Sequence, residues 1–220
     1  MAADETETAA PLLGEPLPVE LMNTLWADRD GVHDELREPA TALRWLNAVE
    51  HRLPTAIAVP AQPRGHEATV AADVAHSLRR LRDAVRRLAA EITADDRPAA
   101  VSPMREREKA IAVLNSACAR SPSWSQLTWP SDNEPRRLMR SRSSPGQAAV
   151  SAMAEEAVTF FAGDLRRELR ACHAPGCVLY FVRDHPRRQW CSAACGNRAR
   201  VARHYERHHR DGRPGAPSTS

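Results

Sequence analysis

The chain has 220 residues, of which 42% are hydrophobic and 27% charged, and its formal net charge is +3. This length and apolar content are enough for one sizeable domain and one small domain. No run approaches the ~18 apolar residues of a membrane helix, and the acidic N-terminus lacks the apolar run of a secretory signal, so we expect a cytoplasmic protein with reduced thiols.

The first quarter of the chain predicts an unstructured segment followed by two helices. Residues 1–15 are acidic, small and proline-containing, and we expect them to be disordered. The apolar segment from Leu17 to Trp26 predicts a short helix, although its start could form a strand. Pro39 fits the first turn of a second helix, and the prolines of residues 53–65 indicate a loop. Aromatic residues are scarce, and we expect most tryptophans in or beside the core: Trp26, Trp45, Trp124 and Trp129.

The longest helix is predicted from about His66 to Ala94, where apolar residues recur at steps of three or four. This spacing forms one apolar stripe, which predicts the centre of a mainly helical body. The arginines between the apolar positions are expected on a solvent-exposed face. The stripe consists of Val70, Val74, Leu78, Leu81, Val85, Leu88 and Ile92, and the arginines are Arg79, Arg80, Arg82, Arg86 and Arg87.

The rest of the body predicts two further helices around a less regular segment. Ser102 and the proline after it form a cap and first-turn signal for a helix through Cys118. Residues 121–145 predict a short β-hairpin or a packed loop. A helix is then predicted from Gln147 to about Arg170, running directly into the first of four cysteines.

Four of the five cysteines lie within 24 residues, with spacing C-x4-C, thirteen residues, then C-x3-C. A tetrahedral Zn2+ site needs two such close pairs. A disulfide would need an oxidising compartment, an iron–sulfur cluster favours other spacings, and a catalytic dithiol would need a C-x-x-C. His173 could replace one thiolate, but four thiols already complete a tetrahedron. We therefore expect Zn2+ at Cys172, Cys177, Cys191 and Cys195.

The cysteine segment predicts a hairpin and a helix around the metal. A tight turn is indicated by Pro-Gly before Cys177, and Val178–Val182 is a β-type run. Residues 184–186 would turn the chain, and residues 188–190 would return it to Cys191 as the second hairpin strand. Ser192 is suited to cap a helix that follows.

The C-terminal part of the chain is strongly basic. From Arg166 to Arg213 there are 12 arginines and four acidic residues, a net charge of +8, while the remainder carries −5. This asymmetry favours an anionic partner. On the last helix, four arginines form a stripe opposite the cysteines and suit phosphate contact, although a merely solvated helix end remains an alternative. These are Arg200, Arg203, Arg207 and Arg210, with Arg187, Arg188 and Asn197 as base-reading candidates by proximity and Arg198 expected to face the metal.

The sequence also resembles a known family. The run Trp-Cys-Ser ending at Ser192 and the run Cys-Gly-Asn-Arg ending at Arg198 are similar to the signature of bacterial CGNR zinc finger proteins. The body resembles the ABATE domain through Asn23-Thr24, Trp45-Leu46 and the segment 78–85. The resemblance implies an ABATE-like domain over 16–165 and a CGNR-type finger over 166–210. The glycines and prolines after Arg210 separately predict a disordered tail over 211–220. It further implies a stress-induced transcription regulator whose finger binds DNA.

Together these features predict a mainly α body with a C-terminal zinc-bound β-hairpin and helix. We expect a DNA-binding regulator whose basic finger contacts duplex DNA, and the alternative is a zinc-stabilised module that docks a protein or RNA. We do not expect an enzyme, because four thiolates leave no open zinc position and the sequence lacks a phosphate-binding glycine loop, a nucleophile elbow and H-E-x-x-H. A homodimer and a small-molecule ligand of the body are both compatible with the sequence.

Overall fold

The computed structural model of the chain describes residues 9–53 and 66–211, with side chains for 9–53 and 68–207. The predicted loop over 53–65 and the predicted disordered tail lie almost entirely outside the described residues. Within them, the predicted mainly α architecture is confirmed. No helix of the described part is long and apolar enough to cross a membrane.

Six α-helices and three two-stranded antiparallel sheets form the described structure. The sheets pair β1 with β2, β3 with β4, and β5 with β6. The elements in chain order are α1 (Leu17–Met22), β1 (Leu25–Ala27), β2 (Val32–Asp34), α2 (Pro39–Ala48), α3 (His66–Thr93), α4 (Arg107–Arg120), β3 (Ser123–Thr128), β4 (Arg136–Ser141), α5 (Pro145–Ala162), β5 (Leu169–Ala171), β6 (Tyr180–Val182) and α6 (Ala193–Asp211).

Helix α3 lies at the centre of the core and packs against α1, α2, α4 and α5. Its apolar stripe is buried as predicted, with Val74, Leu78, Leu81 and Val85 almost inaccessible to solvent. The stripe ends before Ile92, which is exposed. A 28-residue helix with one apolar face can bury that face only by surrounding it with other elements, and the four shorter helices do so.

Two helix boundaries differ from the predictions. Helix α4 begins at Arg107, because the Ser102 hydroxyl instead donates to the Asp83 carbonyl and accepts from the Met104 N–H, which forms a local turn. Helix α5 ends at Ala162, where Gly163 adopts an extended conformation. A short 3-10 helix and β5 follow, so the prediction of a helix running directly into the cysteines is wrong.

The N-terminal segment is ordered where it is described. Residues 9–15 were expected to be disordered, but the Ala10 N–H donates to Glu35 and the Leu13 N–H donates to Glu20. Glu15 is buried, accepts a hydrogen bond from the Val182 N–H, and also pairs with an arginine of the cysteine module. The prediction of disorder is therefore wrong for 9–15.

The tryptophans divide into two groups. Trp26 and Trp45 are buried, as predicted. Trp124 and Trp129 are 48% and 71% exposed, so their predicted place in or beside the core is wrong. The predicted hairpin over 121–145 does form, as β3 and β4, but it packs chiefly on itself.

The body and the cysteine module share one core. Leu169, Ala171, Tyr180 and Val182 of β5 and β6 belong to the same apolar cluster as the helices of the body. At the end of α1, Asn23 pairs with Tyr180 through two hydrogen bonds, one from the Tyr180 N–H at 2.9 Å and one to its carbonyl at 3.0 Å. The two parts are therefore not separate folding units in this structure.

Candidate metal centre and its surroundings

The four cysteine thiols converge at one buried point. Their sulfur atoms all lie within 4.8 Å of one another. The Cys177 and Cys191 sulfurs are 3.8 Å apart, and the Cys191 and Cys195 sulfurs are 3.4 Å apart. A tetrahedron with Zn–S bonds of ~2.3 Å has sulfur–sulfur edges of about 3.8 Å, whereas a disulfide would bring two sulfurs to about 2.05 Å. The cluster therefore fits Zn2+.

Each pair of thiols is presented by a local turn. Between Cys172 and Cys177, Gly176 has φ +74 and the Cys177 N–H donates to the Ala174 carbonyl at 2.9 Å, as in a type II turn with Pro and Gly at its centre. An L side chain at position 176 would be strained at that φ. Ser192 caps α6 as predicted, because its hydroxyl accepts the Cys195 N–H.

The cysteine module contains a β-hairpin, as predicted, but the strand that pairs with β6 is not the predicted one. Strand β6 pairs with β5 upstream of the cysteines, with Leu169 opposite Val182 and Ala171 opposite Tyr180. Residues 188–190 form no strand. The first cysteine pair thus lies on the loop of the β5–β6 hairpin. Because the strands of this hairpin are part of the body's core, the first two thiols are attached directly to that core.

Hydrogen bonds around the sulfurs offset their negative charge. Four thiolates and one Zn2+ carry a net charge of −2. The Arg198 guanidinium donates to the Cys195 sulfur at 3.1 Å, and the Leu179 N–H donates to the Cys177 sulfur at 3.5 Å. Such outer contacts orient ligands and tune a metal site. The expected orientation of Arg198 toward the metal is confirmed.

The thiols also change one another's acidity. Hydrogen bonding with Cys177 lowers the pKa of Cys172 to about 7, and hydrogen bonding with Cys172 lowers the pKa of Cys195. The same sharing of protons raises the pKa values of the other two thiols. Zn2+ binding displaces the remaining protons, so metal affinity should fall as the pH falls.

A second arginine, from the body, binds the loop between β5 and β6 that carries Cys172 and Cys177. One guanidinium nitrogen of Arg97 donates hydrogen bonds to the carbonyls of Cys172, Cys177 and Leu179, at 2.8, 3.0 and 3.2 Å. Asp95 holds this guanidinium through two hydrogen bonds of 2.7 and 2.6 Å and also accepts from the Tyr180 hydroxyl at 2.6 Å. Sequence analysis missed both residues, because the only signal is an Asp-x-Arg after a helix.

Arg86 joins the body to the module from inside the core. It is 1% exposed and donates to the carbonyls of Met22, Ala100 and Val178 at 2.9, 3.0 and 3.2 Å. Its guanidinium lies 5.1 Å from the centre of the Tyr180 ring. Burial lowers the pKa of Arg86 to about 10, so it remains charged at neutral pH. The predicted solvent-exposed position is wrong for Arg86 and also for Arg82, which is buried and pairs with Asp34.

Replacing Asp95 with asparagine is expected to destabilise the zinc-loaded protein by about 2–3 kcal/mol, because Arg97 would lose a buried charged partner. Chemical unfolding measures this loss. The matched control is Asp96→Asn, since Asp96 is exposed, and it should change stability by less than about 0.5 kcal/mol. Equal small effects for both variants would contradict the assigned role of Asp95.

The same carboxylate should make stability depend on acidic pH. Burial opposes ionisation of Asp95, but hydrogen bonds from Arg97 and Tyr180 outweigh it and lower the pKa from 3.8 to about 2. A carboxylate whose pKa is lower in the folded state stabilises the fold above the unfolded value, and this contribution is lost as the pH falls from about 4 to about 2.

The predicted nucleic-acid contacts fall into two groups. Arg187, Arg200, Arg203 and Arg207 are exposed, and Asn197 is exposed and accepts from Arg200. Arg188 differs, because its guanidinium pairs with buried Glu15 and donates to the Val182 and Cys191 carbonyls. Its donors are thus used inside the protein. The backbone of Arg210 continues α6, and its side chain lies outside the described atoms.

A cavity of about 660 Å³ lies between the N-terminal segment, β1–β2 and α2. Trp26 and Trp45 line it, with Asp34, Glu35 and Arg37 among its polar neighbours. Trp26 also belongs to the apolar cluster that surrounds the four cysteines and stacks on His33 at 4.4 Å between ring centres. One side chain therefore contacts both the cavity and the finger.

A helical body that shares its core with a buried four-cysteine centre defines a protein with a structural zinc finger. The family model described as "Putative stress-induced transcription regulator", ABATE, matches residues 15–164, and the CGNR zinc finger model matches residues 168–208. The chain belongs to the ABATE family and ends in a CGNR zinc finger, which confirms the resemblance seen in the sequence. A search of curated proteins found no match.

Proposed function

We propose that this protein is a cytoplasmic, zinc-dependent transcription regulator that binds duplex DNA through α6. The observation that carries the proposal is the state of three arginines on that helix. Arg200, Arg203 and Arg207 are exposed, and in the part of the chain that the structure describes none forms an ion pair with a carboxylate. Exposed guanidinium groups that form no such pair suit the phosphates of a nucleic acid.

The metal centre would give this helix a fixed orientation. Cys195 lies in the first turn of α6, and the Ser192 cap and the Arg198–Cys195 contact hold that turn against the sulfur cluster. The indole of Trp190 packs beside Gly196, where a Cβ atom would lie only 3.1 Å from the ring. A helix held at one end can present its other residues to a partner with a lower ordering cost on binding.

Bases would be read by the exposed candidates next to the helix. Arg187 and Asn197 retain this proposed role, because both are exposed near the start of α6. Arg188 does not, because its hydrogen bonds are made within the protein. The family description also implies a response to stress, which we include in the proposal. Stress would be the signal that induces the regulator and would not change which residues contact DNA.

Replacing Arg200, Arg203 and Arg207 with alanine should leave the zinc content unchanged and weaken binding to all DNA duplexes alike. Each lost phosphate contact should reduce the slope of log K against log salt by about 0.9, so the slope should fall by about 2–3. Fluorescence anisotropy at several salt concentrations measures both quantities. If the variant binds duplex DNA at low salt as tightly as the parent does, the proposal that α6 contacts DNA is wrong.

Glu206 provides a test of opposite sign on the same helix. It lies among these arginines, next to Arg203 and Arg207, and would repel phosphate. Glu206→Gln should therefore strengthen DNA binding while the triple arginine variant weakens it. A general effect of mutation on helix stability would instead change affinity in one direction for both variants.

The second candidate is a module that docks a protein or RNA. The observation in its favour is that α6 also exposes Val201 and Tyr205, at 55% and 62%. An exposed aromatic ring can stack on an unpaired base or enter a protein pocket. Competition of single-stranded RNA against the DNA duplex separates a DNA regulator from an RNA-docking module, because a DNA regulator should retain the duplex. Failure to bind either nucleic acid at low salt would favour protein docking.

Two further expectations remain part of the proposal. We infer a non-enzymatic role, since four thiolates would fill the coordination shell of the zinc and leave no position for water. We also place a small-molecule ligand of the body in the cavity beside Trp26 and Trp45. Such a ligand would contact Trp26 and could change the packing of the finger through that side chain.

A further inference from the structure

The β3–β4 hairpin, hereafter the ribbon, is an unusual surface feature. Nearly all its residues are exposed on both faces, and its most extensive packing is between its own two strands. At its base, the Ser121 and Ser141 hydroxyls are 2.8 Å apart. Because the ribbon packs chiefly on itself, its surface is available to a partner. An isolated two-stranded hairpin is only marginally stable in water, so a partner could also stabilise the ribbon.

The ribbon carries large apolar side chains beside arginines on both faces. Trp124 lies opposite Arg140, and Leu127 lies opposite Arg137. Trp124 and Leu127 are 48% and 68% exposed. Because directly opposite residues of an antiparallel pair point to the same side, each face presents an apolar group next to a guanidinium.

The charge of the ribbon strands is entirely positive. Arg136, Arg137 and Arg140 lie on β4, and neither strand contains an acidic residue. The side-chain partners of two of them are neutral: Arg140 donates to Gln126 at 2.7 Å and Arg137 donates to Ser125 at 2.8 Å. Among the described residues, none of the three forms an ion pair with a carboxylate. Acidic residues occur only in the connecting turn, as Asp132 and Glu134.

We propose that the ribbon is a second DNA-binding element, which contacts duplex DNA together with α6. This inference rests on the proposed function of the protein. A two-stranded ribbon fits the ~12 Å major groove, its arginines can bind phosphates or bases, and its exposed apolar groups can contact sugars and base edges. A second copy of the chain is a poorer partner, because pairing two ribbons would place positive strands together and neither strand has an acidic residue to offset them.

The test replaces Arg136, Arg137 and Arg140 with alanine in the full-length, zinc-loaded protein. Binding to a labelled DNA duplex is measured across salt concentrations. The slope of log K against log salt should fall by about 2–3, and combination with the α6 triple variant should lower it further by a similar amount. Zinc content and the helical signal of the far-ultraviolet spectrum should not change, because the ribbon packs chiefly on itself.

A matched control removes three positive charges elsewhere. Arg29, Arg107 and Lys109 are exposed, and neither of the proposed DNA-binding elements includes them. Their alanine variant should keep the parental slope. If the control lowers the slope as much as the ribbon variant does, net charge alone explains the effect and the inference is wrong.

The remaining outcomes separate failure of this inference from failure of the proposed function. If the parent binds duplex DNA and the ribbon variant binds with the same slope, the inference is wrong and α6 remains the proposed DNA contact. If the parent binds no duplex DNA at low salt, the proposed function is wrong and the inference with it. If sedimentation shows a parental dimer and a monomeric ribbon variant with unchanged DNA slope, the ribbon's partner is a second copy.

Discussion

A chain in which Cys191 is replaced by serine is expected to bind no Zn2+ and to lose the cooperative unfolding of the whole protein. The Cys191 sulfur contacts the sulfurs of both Cys177 and Cys195, so it joins the two ligand pairs. Structural Zn2+ contributes an apparent ~10–16 kcal/mol in small zinc modules, which matches or exceeds the ~5–15 kcal/mol of net stability in an ordinary domain.

The loss should spread beyond the finger because of the shared core. Leu169, Tyr180 and Val182 are buried among the body's helices, and the turn between β5 and β6 carries the first two zinc ligands. Without the metal, this hairpin loses its fixed loop. Exposure of its apolar residues would then open the main core.

Elemental analysis should find about one zinc per parental chain and none in the Cys191→Ser variant. Thermal melts in reducing buffer should show a sharp parental transition, and a broad one for the variant or after chelation. The matched control is Cys118→Ser, because Cys118 lies on α4 in partly buried apolar surroundings and, among the described residues, belongs to no metal cluster. A zinc-free Cys191→Ser protein that melts near the parental temperature would show that the core does not depend on the finger.

Replacement of Arg86 with methionine should destabilise the protein by about 3–5 kcal/mol, although methionine preserves much of the buried volume. The change removes the hydrogen bonds that the Arg86 guanidinium donates to the Met22, Ala100 and Val178 carbonyls. Each buried carbonyl left without a partner costs about 1–3 kcal/mol. For a protein of this length, the melting temperature should fall by about 6–20 °C.

The control for Arg86 lies on the same helix. Arg80 is exposed, and Arg80→Met should change stability by no more than about 0.5 kcal/mol. A second measurement is zinc affinity, which Arg86→Met should weaken because the Val178 carbonyl is adjacent to Cys177. Equal melting temperatures for the two variants would contradict the inference that Arg86 joins the body to the finger.

The metal ligands and the central helix were predictable because both patterns are local. Paired cysteines define a zinc site by spacing alone, and seven apolar residues at helical steps define α3. The arginines of α3 were predicted to face solvent because arginine side chains are charged. Helical geometry places Arg82 and Arg86 only about 40° and 80° around the helix from Leu78, at the edge of the apolar stripe. The spacing alone therefore indicated that these two arginines could be buried.

The partner of β6 could not be predicted in the same way. Strand β5 has three residues, too few to show an alternating pattern, and the apolar spacing of α5 continues across the point where the helix ends. Only Gly163 interrupts it, and glycine in a helical pattern is an ambiguous signal. The Arg97 contacts depend on residues 75–82 positions apart in sequence, which no local pattern records.

The hydrogen bonds between Asn23 and Tyr180 have a consequence for how the chain acquires its structure. They join residues 157 positions apart, and the bond from Val182 to Glu15 spans 167. Contacts of such long sequence separation slow folding, and during synthesis the N-terminal partners are made long before the C-terminal ones exist. The contacts of Asn23 at the end of α1 and of the buried Arg86 with the cysteine module can therefore form only after the last part of the chain has been synthesised. Folding should finish only when the finger has been synthesised and has taken up its metal, so zinc supply would control the yield of the whole protein.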